Sequence, residues 1–295
     1  VNEHEDLDVP LGRPVEVDGV EVLYFPTRGW PAGAARRLYR APELLRELER
    51  RLPSTDVAHL HSLFLWPPAV AARACRRAGV PFLVAPRGML VPELVRSRGR
   101  LRKTLWLRFV DRPNLERAAG LHVTSELEAA EAERFGFRLP PRFVVPNGLD
   151  LAELAPPDPA ALSGPIARAL ESSPFVLALG RISWKKGIDR LIEAVARVPE
   201  LTLIVAGNDD EGLRPRLAAL AAERGASGRV LFVGPVAGAD KAALLRGCLA
   251  LALPSQSENF GNVVLEALGA GRPVVVSQEV GLAPLVEEHG LGLVS

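Results

Sequence analysis

Apolar runs of strand length alternate with helix-length stretches of mixed polarity along almost the whole chain. In the first half "VEVLYF" (20–25), "DVAHLH" (56–61), "PFLVAP" (81–86), "GLHVT" (120–124) and "RFVVP" (142–146) read as strands. Residues 36–51 and 67–78 carry helical spacing between them; the second stretch opens on Pro67-Pro68 and closes near Gly79. The rhythm breaks over 145–165, "VPNGLDLAELAPPDPAALSGP", where five prolines and an Asn-Gly turn mark a linker. It resumes with strands at 175–180, 201–207, 229–234, 249–254 and 273–277 and helices at 188–198, 213–224, 239–246 and 263–269. Near-continuous apolar strands separated by helices predict parallel sheets covered on both faces. Two doubly wound α/β domains are therefore expected, 1–150 and 151–295, with ligands beyond the carboxyl ends of the strands.

Composition refines this picture only a little. The 295 residues, 48% hydrophobic and 24% charged, suit two globular domains with sizeable cores. Net charge is +1, but 23 Lys+Arg against 19 Asp+Glu leave the first 150 residues at +4, and 13 against 16 leave the rest at −3. So weak an asymmetry argues against a nucleic-acid partner. Cys75 and Cys248 lie far apart in apolar contexts and read as buried free thiols of a reducing cytoplasm. No apolar run approaches the ~18 residues that span a bilayer. The chain begins on Val and stops on the strand-like "GLGLVS" without a closing helix, so it reads as a piece of a longer protein.

Chemistry concentrates in "SQSENFGNVVLEALGAG" (255–271), where Glu258 and Glu266 interrupt an otherwise nearly uncharged run. Glu258 follows a strand, and Asn262 sits where a helix should begin, so free N–H groups there favour an anion. Gly261 lets the backbone approach a ligand closely. Two carboxylates beside an anion site suit a ligand with hydroxyl-rich ends and a charged middle, such as a nucleotide sugar. An unpaired Glu266 between Leu265 and Ala267 would be costly to bury without such a role. "GRISWKKG" (180–187) supplies the opposite charge. Lys185 and Lys186 oppose the dipole of the helix they precede, and Arg181 can share a phosphate with Lys186.

These two motifs resemble the retaining GT-B glycosyltransferases of family 4, with support from "VPNGLD" (145–150), "AGNDDEG" (206–212) and "VLFVGPV" (230–236). The resemblance implies the GT-B fold, two Rossmann-like domains facing a cleft. It implies transfer of a sugar from a nucleotide diphosphate donor to an alcohol acceptor, saccharide or lipid-linked, in cell-surface or exopolysaccharide assembly. No cofactor beyond the nucleotide-sugar co-substrate and no metal are implied. Arg181 and Lys186 would hold the diphosphate, Glu266 the ribose and Glu258 the transferred sugar. The amides of Phe260, Gly261 and Asn262 would line the sugar-phosphate pocket. The family's opening strand, glycine-rich loop and helix have no counterpart before "VNEHEDLDVP", and many members carry His-Gly where this chain has Arg87-Gly88. Arg87 is thus an acceptor-side candidate on its own account. The rival readings are a non-catalytic nucleotide-sugar-binding module and a nucleotide-sugar epimerase of the same fold.

Other signals carry less. His61, in "HLHS" at a strand end, is a substrate-contact candidate beside its structural reading. Asp6-Leu7-Asp8 matches a metal-binding pattern of a different transferase fold but follows no strand. Ser125 and Glu128 read as a helix capping box. "RSRGRLRKTLWLRFVDR" (96–112) holds seven Lys/Arg around Leu101, Leu105 and Phe109, spaced i, i+4, i+8. That spacing predicts either a core-facing stripe or peripheral docking to the inner face of an anionic membrane.

Overall fold

The computed structural model describes residues 8–28, 38–96, 100–172 and 174–295. Asp6 and Leu7, residues 36–37 of the first expected helix and residues 97–99 of the basic segment lie outside the described residues. Contacts divide the chain into two compact units. One runs to Val123 and takes in Ala129–Val145; the other comprises Thr124–Glu128 and Pro146–Ser295.

In the first unit β1 (Pro14–Val17) and β2 (Val20–Leu23) pair antiparallel, with Val15 opposite Val22. Asp18 and Gly19 between them take φ of 50° and 77°, as a tight Asp-Gly hairpin requires. The strand expected at 20–25 therefore belongs to a hairpin and not to the parallel sheet. That sheet is β3 (Ala58–His61), β4 (Phe82–Ala85), β5 (Gly120–Val123) and β6 (Arg142–Val144), parallel and in sequence order. Its core joins Leu60, Phe82, Val84, Leu121 and Val123 to the helix Trp66–Ala78, which buries Ala71, Ala72, Ala74 and Cys75. Small residues on that face let the helix lie close to the sheet.

The basic segment departs from the core-stripe expectation. The helix Arg100–Trp106 runs into a π-helical turn, Leu107–Asp111, and buries Leu107 and Asp111. Leu101, Leu105 and Phe109 are 78%, 55% and 68% exposed. Asp111 Oδ2 accepts the Phe64 N–H at 2.9 Å, and burial raises its carboxyl to about 6 against the pull of that bond.

The second unit holds β7 (Phe175–Leu179), β8 (Thr202–Ala206), β9 (Val230–Gly234), β10 (Ala250–Leu253), β11 (Val274–Val276) and β12 (Gly292–Val294). All are parallel, in the order β12-β11-β10-β7-β8-β9. The order reverses between β7 and β10, whose registers meet at Val176 and Ala250. The helix Ile188–Ala196 buries Ile188, Ile192 and Val195, one stripe of a 3.6-residue period.

The proline-rich 145–165 stretch is a strap on the second unit. Leu149 and Leu154 pack in its core, and Arg246 Nη1 donates to the Leu154 carbonyl at 2.9 Å. A Cβ at Gly269 would lie 2.8 Å from both leucine side chains, so glycine is needed there for the strap to sit down. The stretch ends in a helix, Gly164–Leu170, that burial of Ile166 and Ala169 stabilises and that the prolines had masked. Cys75 and Cys248 are buried and free, and desolvation pushes the Cys248 thiol up to about 11.

Candidate functional site

Open parallel sheets bind ligands where strand order reverses, beyond the strands' carboxyl ends. In the second unit that point lies between β7 and β10, and the loops leaving these two strands are "GRISWKKG" and "PSQSENFG". Both candidate motifs therefore meet where strand order reverses in this unit.

Backbone contacts hold the first loop in place. Gly180 N–H donates to the Ala206 carbonyl at 2.9 Å and Ile182 N–H to the Asn208 carbonyl at 2.7 Å. The side chain of Ile182 is buried beneath the loop. Gly207, with φ of 154°, packs so closely that a Cβ would sit 1.8 Å from the Gly180 oxygen. Ser183 Oγ then accepts the Lys185 N–H at 3.2 Å and starts a 3₁₀ turn, Trp184–Lys186. Gly187 closes that turn at φ 65°; a Cβ there would lie 2.3 Å from the Pro254 oxygen. Gln256 N–H donates to the Lys185 carbonyl at 2.7 Å, so the two loops are pressed together.

The second loop is pinned from its other side by a segment that carries no sequence signal beyond one glycine. Glu258 N–H donates to the Glu279 carbonyl at 3.0 Å, and its own carbonyl accepts the Gly281 N–H at 2.8 Å. Next along, the Asn259 carbonyl accepts from Ser125 Oγ at 2.6 Å, and Asn259 Nδ2 donates to Thr124 Oγ1 at 3.1 Å. Ser125 Oγ also accepts the Glu128 N–H at 3.1 Å, as a cap should, while Glu128 Oε2 accepts the Thr124 N–H at 2.8 Å. Ser125, expected as a helix cap, thus also anchors the loop. Phe260 is buried in the core, and Gly261 at φ 94° turns the chain into the helix Asn262–Gly269. The first N–H groups of a helix have no acceptor within it, so they remain available to an anion. Asn147 Nδ2 donates to Asn262 Oδ1 at 2.9 Å and steadies that helix start.

The charges are paired more fully than expected. Lys186 Nζ forms an ion pair with Glu258 Oε2, both side chains largely buried. Glu266 is not unpaired: Lys241 Nζ lies 2.9 Å from its Oε1, while Oε2 is buried without a hydrogen-bond partner among the described residues. Lys241 had no motif to reveal it. Arg181 is exposed, makes no ion pair among the described residues and lines one small pocket with Lys186, Gly180 and Leu253. The site is thus two neutralised pairs plus one guanidinium, a balance that leaves room for an incoming anion. Among the described residues no three His, Cys, Asp or Glu side chains are grouped to hold a metal ion.

The remaining candidates, His61 and Arg87, lie in the first unit. They meet at the carboxyl ends of β3 and β4, where Arg87 Nε donates to His61 Nδ1 at 3.2 Å.

Known proteins resemble this chain in both units. A family described as glycosyl transferase 4-like domain matches residues 5–148, and one described as glycosyl transferases group 1 matches residues 165–295. The D-inositol 3-phosphate glycosyltransferase of Mycobacterium sp. (strain JLS) is 37% identical over 183 residues, 60% of this chain and 41% of that protein. The chain thus matches less than half the length of that relative. Among solved structures, sucrose-phosphate synthase from Thermosynechococcus elongatus superposes with a TM-score of 0.76 at 22% identity, covering 98% of this chain and 73% of its own. HepE of Anabaena, in complex with UDP and glucose, gives 0.71 at 24% identity, covering 94% and 73%. At such identities the likeness is one of fold.

Proposed function

For a chain that belongs to the GT-B glycosyltransferases, we propose transfer of a sugar from a nucleotide diphosphate sugar to an alcohol acceptor, with retention of anomeric configuration and without a metal ion. The observation that carries this reading is the reversal of strand order between β7 and β10 with the two motif loops pressed together over it. In the proposed roles Arg181 and Lys186 face the diphosphate, and the amides at Phe260, Gly261 and Asn262 cradle its sugar-side phosphate. The unsatisfied Oε2 of Glu266 accepts from ribose hydroxyls. An ammonium has three donors, so Lys186 can keep its bond to Glu258 and still reach a phosphate oxygen. Glu258, so oriented, accepts from a hydroxyl of the transferred sugar. As the bond from sugar to diphosphate breaks, negative charge grows on the leaving oxygen, where Arg181, Lys186 and the helix start stabilise it. The acceptor hydroxyl attacks from the same face and passes its proton to the departing diphosphate.

Replacing Arg181 or Lys186 by Ala is expected to weaken nucleoside diphosphate binding about 10–100-fold, since a hydrogen bond to a charged group contributes about 1.5–3 kcal/mol. Binding of the parent nucleoside should change far less. Calorimetry with both ligands checks this, and an equal loss for the two would remove the phosphate role.

The acceptor is proposed to be a saccharide, free or lipid-linked, in polysaccharide assembly. The lipid-linked case is favoured by the exposed stripe of Leu101, Leu105 and Phe109, set among Arg100, Arg102, Lys103, Arg108 and Arg112. Apolar side chains flanked by cations suit the interface of an anionic membrane, as a peripheral contact. Vesicles with anionic headgroups should bind the protein and release it as salt rises. Charge reversal at Arg102 and Lys103 should abolish binding, and unchanged binding would assign these residues to a merely solvated face.

A further inference from the structure

We propose that His59, His61, Arg87 and His122, at the carboxyl ends of β3, β4 and β5, form a binding site for an anionic group, phosphate or carboxylate, on the acceptor. This rests on the glycosyltransferase reading only for the word acceptor; the anion site stands on its own geometry. His59 and His61 alternate along β3 and so share one face of the sheet, with ring centroids 4.3 Å apart. His122, on β5, places Nδ1 3.0 Å from His59 Nε2 and Nε2 3.1 Å from the Val145 carbonyl. Arg87 Nε completes the row at His61 Nδ1. Four side chains, from β3, β5 and the segment after β4, thus form one continuous chain of contacts, with His59 and His61 exposed to solvent.

The charges in this row have one sign. Desolvation holds the His61 imidazole below its ordinary range, and His59, Arg87 and His122 add to that as neighbouring cations. His59 is held down by desolvation, then by His122 and Arg87. Asp111, three residues from His61 through its bond to the Phe64 N–H, is not among the groups that act on either ring. His59 and His61, whose protonation their neighbours disfavour, become easier to protonate once an anion lies against them. The backbone supports the same reading. Ser62, Phe64 and Arg87 are non-glycine residues in the left-handed region, at φ 74°, 58° and 54°, all on the segments that follow β3 and β4. Such strain gathers where a site is held in place by its surroundings.

Proton bookkeeping gives the site a signature. Because Arg87 donates to His61 Nδ1, the neutral imidazole carries its proton on Nε2. When an anion arrives, a proton taken from solvent on Nδ1 ends the acceptance from Arg87. Ring and guanidinium are then both donors to the anion. Anion binding is therefore coupled to proton uptake, and affinity rises as pH falls, about tenfold per pH unit for each proton taken up.

The test follows histidine ring resonances by NMR during titration with inorganic phosphate from pH 8 to pH 6, against chloride at equal ionic strength. The expected result is that phosphate shifts the signals of His59, His61 and His122, raises the titration midpoints of His59 and His61 and binds at least tenfold tighter at pH 6. His61→Gln and Arg87→Gln should each lose most of that response. Calorimetry with a nucleoside diphosphate on the same samples reports the other unit independently. Ring signals indifferent to phosphate, or equally responsive to chloride, would overturn the inference even with nucleoside diphosphate binding intact. The converse pattern, a phosphate response without nucleoside diphosphate binding, would retain the anion site and defeat the proposed function.

Discussion

Glu258→Ala is expected to slow sugar transfer about 10²–10³-fold, the usual cost of removing one electrostatic or positioning group from a reacting centre. The substitution should at the same time leave nucleoside diphosphate binding unchanged or slightly tighter. The reason is the ion pair: Lys186 loses its carboxylate partner, keeps its charge and offers all its donors to phosphate. The backbone of Glu258 is bonded at 3.0 Å and 2.8 Å to the 279–281 segment, so side-chain truncation should not displace the loop. A fall in kcat with an undiminished affinity for nucleoside diphosphate separates a role toward the sugar from a role toward the phosphate. Glu258→Gln, which still accepts a hydrogen bond, should lie between wild type and Ala. Transfer by the wild type is expected to survive EDTA and to yield a product of retained configuration. NMR of the first-formed product settles the stereochemistry, and an inverted centre would defeat the same-face attack together with the role given to Glu258.

Gly281→Ala is expected to destabilise the protein by about 3 kcal/mol or more, at the upper end of overpacking costs. For a unit of this size that corresponds to a fall in Tm of about 6–12 °C. The added Cβ would stand 2.0 Å from the Asn259 oxygen and 2.8 Å from Ser125 Oγ. Asn259 has nowhere to go, because Ser125 and Thr124 hold it through two hydrogen bonds and its neighbour Glu258 is bonded on both sides. Gly290→Ala provides the comparison. Its φ of 61° disfavours a side chain, but nothing lies within 4 Å of the new carbon, so only about 1 kcal/mol of backbone strain is expected. Thermal melts of the two variants decide the point. If Gly281→Ala melts no lower than Gly290→Ala, the 279–281 segment does not pin the loop.

Much of this protein was legible without a structure, and the parts that were not share one cause. The strands β7, β8, β9 and β10 announced themselves because parallel strands buried on both faces are continuous apolar runs. The Asp18-Gly19 hairpin also had its signal in the chain, yet "VEVLYF" alone cannot say which strand it pairs with. In the basic segment two stripes satisfy the helical period, Leu101-Leu105-Phe109 and one through Leu107 and Asp111. Only packing chose the second for the interior and left the first in solvent. The site divides in the same way. Glu258, Arg181 and Lys186 stood out as charges in glycine-bearing loops and Glu266 as a charge on an apolar helix, because burying charge in an apolar setting asks for a reason. Which charge meets which was hidden. Lys186 and Glu258 are 72 residues apart, and they touch because β10 lies directly beside β7 in the sheet. Lys241, which pairs with Glu266, comes from a helix with no motif at all. Local patterning determines where strands, turns and exposed charges fall, since burial and backbone preferences act over a few residues. Partners depend on strand order and on close backbone approaches such as Gly281 to Asn259, which exist only once distant segments have packed.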